Sequence, residues 1–85
     1  MLPLLQTKQT LHQAPDYINK SIYETNAPEG SLVINEDRTV LGRIGRYSYR
    51  PTASSSGAVE LVLPEGRSVR FHAVVKYIVD GAVVV

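Results

Sequence analysis

Between Arg38 and Val59 the chain carries four arginines, Arg38, Arg43, Arg46 and Arg50, together with Tyr47 and Tyr49, and no acidic residue. Guanidinium groups make forked, charge-assisted hydrogen bonds to phosphate or carboxylate, and phenol rings stack on bases or fill apolar pockets. Arginine and tyrosine are enriched at protein interfaces as well as along single-stranded nucleic acid. The stretch is therefore read as a partner-binding surface, with Arg43, Arg46, Tyr47, Tyr49 and Arg50 as the contact residues. The competing reading has the tyrosines closing a core while the arginines solvate an edge strand. A net charge of +1, from nine basic and eight acidic residues, favours a protein surface over a polyanion, whose attraction grows with each phosphate neutralised.

Other chemistry is sparsely supported. The chain lacks cysteine, so a thiol nucleophile, a thiolate metal site and a disulfide framework are all excluded. It has no Gly-x-Ser-x-Gly elbow, no phosphate-binding glycine loop and no dinucleotide fingerprint. His12 and His72 are far apart and have no cluster of carboxylates near them in sequence, which is a poor start for a metal site. Glu36-Asp37 reads as a turn, where solvent keeps both carboxylates ionised. Arg67, Arg70, His72 and Lys76 form a second basic set, read as the solvated face of a strand. The expectation is a protein that is not an enzyme and uses no cofactor or metal.

The elements that must carry these residues are mostly strands. Residues 1–26 read as an N-terminal arm, broken by Pro3 and Pro15, in which Asp16 to Thr25 has the spacing of one short helix. From residue 27 the chain reads as a small β domain. Leu32 to Asn35 is a strand, Glu36-Asp37 a turn, and Arg38 to Tyr49 a return strand bent at Gly42 and Gly45. A loop over Arg50 to Gly57 leads to a strand at Ala58 to Leu63. Pro64-Glu65-Gly66 then supplies a tight turn, and the same triplet at Pro28 to Gly30 reads as reuse of a good turn. Alternation places Val69, Phe71, Ala73, Val75, Tyr77 and Val79 on one face of a long strand, although a helical spacing also fits this run. Asp80-Gly81, between two β-branched runs, is a hairpin signal that decides for strand. The last residues, Ala82 to Val85, form a short apolar strand that either buries itself or pairs across a subunit interface.

The predicted fold is all-β: a small antiparallel β-barrel or sandwich of about five strands, with an extended N-terminal arm that holds at most one short helix. Its core would draw on Val33, Val40, Ile44, Val59, Leu61, Leu63, Val69, Phe71, Val75, Tyr77 and Val79. Neither a signal peptide nor a membrane-spanning run is read, so a virion or the cytoplasm is the expected location and no membrane is expected as partner. The function expected is a non-enzymatic structural or assembly protein, such as a small accessory subunit of a virus or phage particle. Contacts with protein subunits, in a homo- or hetero-oligomer, would run through the arm, the arginine-tyrosine strand and the C-terminal strand. The alternatives are a single-stranded nucleic-acid-binding module and an inhibitor that caps a host enzyme.

Overall fold

In the computed structural model, which describes residues 14–47 and 57–85, seven strands form one sheet. They are β1 (Asp16–Ser21), β2 (Leu32–Ile34), β3 (Val40–Ile44), β4 (Val59–Val62), β5 (Ser68–Phe71), β6 (Val74–Val79) and β7 (Ala82–Val84), with a single helical turn, α1 (Ile22–Thr25), after β1. The order across the sheet is β1-β6-β7-β2-β3-β4-β5. The fold is all-β, and the sheet does not close into a barrel.

Two hairpins, β2–β3 and β4–β5, form a meander and use the same kind of connection. In the first, the Asn35 amide donates to the Thr39 carbonyl and the Arg38 amide to the Asn35 carbonyl; in the second, Leu63 and Gly66 make the matching bonds to Arg67 and Leu63. Each is thus a three-residue loop whose last residue is left-handed, the position at which such loops take glycine. Gly66 obeys that rule with φ of 100°, whereas the first loop holds Arg38 there with φ of 72°. The β6–β7 hairpin turns on Asp80 and Gly81, whose φ values of 52° and 75° are those of a two-residue turn with both central residues left-handed.

The C-terminal strand is internal. β7 pairs antiparallel with β6 and parallel with β2, Val33 opposite Val83 and Ile34 opposite Val84, so both its edges are satisfied within the chain. The sheet ends instead at β1 and β5. The run read as one strand from Val69 to Val79 is divided between β5 and β6, which lie on opposite sides of the sheet.

The Asp16–Thr25 segment, read as a helix, is a strand through Ser21 and helical only from Ile22. Pairing with β6 supplies backbone hydrogen bonds that a ten-residue helix, marginal alone, does not outweigh. A bulge between Tyr17 and Lys20, with Asn19 left-handed at φ of 56°, interrupts this edge and discourages further strand addition. Ser21 then caps α1: its hydroxyl accepts from the Glu24 amide while the Glu24 carboxylate accepts from the Ser21 amide.

Residues opposite one another in neighbouring strands share a face, so the register sorts the side chains. Val33, Gly42, Ile44, Val59, Leu61, Val69 and Phe71 fall on one face. There Ile22 and Ala27 join Val33, Ile44, Val59, Leu61, Val75 and Val83 in a buried cluster. Val40, expected in the core, is 47% exposed, because the bulge between Val33 and Ile34 pairs it with Ile34 on the opposite face. Ile22, Ala27 and Val83 are core residues not expected from the sequence, whereas Val84, also buried, lies on the opposite face with Tyr77 and Val79, which were expected in the core.

Candidate functional site

The arginine-tyrosine stretch is split by the fold. Arg43 projects from the face opposite the core, beside Leu32 and Val62, and its guanidinium donates to the Gly30 carbonyl at 2.9 Å. After Ile44 the regular strand ends, and Gly45 and Arg46 stay attached to β4 through paired backbone bonds with Glu60. The Arg46 amide also donates to the Glu60 carboxylate, and its side chain is exposed. Tyr47 turns to the core side. Its ring packs against the buried cluster and tilts onto Tyr23 with centroids 5.7 Å apart, and its hydroxyl donates to the Ala27 carbonyl at 2.8 Å. Burial pushes the Tyr47 phenol above its ordinary range. Arg43 and Tyr47 are therefore not brought together, and Tyr49 and Arg50 lie outside the described residues.

The surface the fold does assemble is the face opposite the core. Ile34, Val40, Val84 and Tyr77 are cross-strand neighbours there, with Leu32, Arg43, Val62 and Ser68 forming the next row. Over β6, β7 and β2 this face is concave. A groove of about 450 Å³ has Leu32, Ile34, Val79, Ala82 and Val84 along it and Tyr77 at its side, with Val84 buried at its floor. Tyr77 leads on to Tyr17 of β1, 5.4 Å away between ring centroids, and Tyr17 is 78% exposed. A second hollow of about 440 Å³, over β3 and β4, shares Leu32 and continues through Val40, Gly42 and Val62 to Pro64.

Charges border the groove in a defined order. Glu36, in the β2–β3 turn, is paired with Lys76 at 2.9 Å. Arg38, in the same turn, and Asp80, in the β6–β7 turn, also line the groove, and among the described residues neither is in an ion pair. Because β2 and β7 run parallel, the turn that follows β2 and the turn that precedes β7 lie at opposite ends of the strands. The groove thus has Arg38, beside the Glu36–Lys76 pair, at one end and Asp80 at the other.

This arrangement can hold an apolar surface. Among the described residues no three of His, Asp and Glu gather in a way that could hold a metal ion, and no buried side-chain polar atom lacks a hydrogen-bond partner. No described helix is long and apolar enough to cross a membrane. Sequence reasoning missed this face because its residues are ordinary strand residues; only the register shows that they adjoin. The described residues form a single-sheet β domain with the core packed on one side and a groove on the other. No family model matches the chain, and neither a curated protein nor a solved structure shows significant similarity to it.

Proposed function

We propose that this protein is a non-enzymatic assembly subunit that docks another protein surface onto the open face of its sheet. The observation that carries the reading is the continuity of apolar side chains from Tyr17 across Tyr77, Ile34 and Val40 to Val62, on a face over which the described residues build no second layer. Half-buried sheets in water normally alternate apolar and polar faces, and contiguous apolar surface on a small domain marks an interaction site. A larger particle, such as a virion, is the setting proposed for it.

The nucleic-acid alternative is less well supported. Tyr47, the ring that would stack a base, is engaged with Tyr23 and Ala27, and Arg43 is held by a backbone carbonyl. The test is side-chain footprinting of the isolated chain and of the particle purified from its source. Ile34, Tyr77, Val79 and Val40 are expected to lose labelling in the particle. Equal labelling in both states would overturn the reading.

A further inference from the structure

Resting on the reading of the open face as a docking surface, we propose that its occupant is a second copy of this chain, packed face to face so that two open sheets complete one sandwich. Two sheets stacked roughly 10 Å apart would bury both grooves against each other.

The two groove ends make the face self-complementary. In a symmetric dimer each contact occurs twice with the roles exchanged. A two-fold axis lying between the sheets, across the line from Arg38 to Asp80, swaps those ends and sets Arg38 of each copy against Asp80 of the other.

Arg38 supplies an independent observation. It occupies the left-handed position that Gly66 fills in the matching hairpin, a conformation that strains a residue with a Cβ. Glycine at position 38 would relieve that strain, so the arginine sits there at a local cost. Its place at the groove rim offers the side chain a use in a complex.

The test is mass measurement by light scattering and analytical ultracentrifugation, from micromolar to millimolar protein. The wild-type mass is expected to double with concentration. Arg38→Glu and Asp80→Lys should each weaken the dimer about tenfold, since each sets like charges together, and the double variant should recover most of the loss. Arg38→Gly should raise the melting temperature while weakening association, a split that a structural role alone would not produce. Ile34→Thr, which keeps a β-branched residue, should weaken association with its circular dichroism unchanged.

A wild-type monomer at every concentration would overturn the proposal, as would a double variant no better than its parents. A monomer that dimerises only after removal of residues 1–13 would assign the groove to that segment and overturn it too. If the chain is monomeric while the face is protected in the native particle, only self-association fails and the docking reading stands.

Discussion

The Tyr47 hydroxyl donates to the carbonyl of Ala27, twenty positions earlier in the chain, at 2.8 Å. This bond ties the end of the β3 segment to the turn that enters β2 and fixes the ring on the core side. Tyr47→Phe is expected to cost about 1 kcal/mol, the value of a typical net hydrogen bond, and Tyr47→Ala about 2–3 kcal/mol because packing against Tyr23 is lost as well. Urea unfolding of the two variants separates these contributions.

The pH profile should fall at both extremes for identifiable reasons. Burial raises the Tyr47 phenol above 10.0, so folding favours its neutral form. Its contribution is complete below the unfolded value and is lost as pH rises through the folded one. At the acid end, the Thr39 amide and then its side chain hold Asp37 below 3.8, so that group's contribution is present above 3.8 and is lost as pH falls through the lowered value. Ultraviolet titration should show one of the five tyrosines ionising late, and Tyr47→Phe should remove that step. Asp37→Asn should flatten the acid limb of stability measured by urea unfolding.

Gly42 marks a close approach between β3 and β4. A Cβ there would run into the Val62 carbonyl oxygen and crowd the Leu61 side chain. Gly42→Ala should destabilise by about 2–3 kcal/mol, as overpacking does, even though the position is an ordinary strand conformation. Thermal unfolding measures it.

Gly81 offers the converse case, since a Cβ there meets nothing within 4 Å. Gly81→Ala should still cost about 1–2 kcal/mol, entirely from its φ of 75°. Asp80→Asn, a residue that accepts the left-handed region, should leave stability within about 0.5 kcal/mol.

The Ser21–Glu24 cap orients α1 so that Ile22 is fully buried. Ser21→Ala should cost about 1 kcal/mol and Ile22→Ala about 2–5 kcal/mol. Amide exchange should show the first loss confined to α1 and the second spread across the sheet.

Local chemistry made the hairpins legible. Asp80-Gly81 and Pro64-Glu65-Gly66 encode their turns in residue type, and the alternation in Ser68–Phe71 shows which side chains turn inward. What stayed hidden was decided at a distance. Nothing in the Asp16–Ser21 segment announces its pairing with β6, and no local signal places Ala82–Val84 between β6 and β2. The open face was illegible for the same reason: Ile34, Val40, Tyr77 and Val84 come from four strands and become neighbours only through register. Tyr47 was readable as a choice between core and surface, and the end of the regular strand at Ile44 decides it.

The seam between β2 and β7 has two residue pairs, as few as the β3–β4 join, and it alone is parallel while every other pairing is antiparallel. It unites the β2–β5 meander with the β1-β6-β7 group, whose outer strand comes from the other end of the sequence. Local hairpins close in microseconds, but this join must wait for a long loop to close. It should therefore form late in folding and be among the first places to part, leaving two smaller ribbons with freshly exposed edges. Any condition that loosens the seam would convert an orderly domain into an aggregation-prone one.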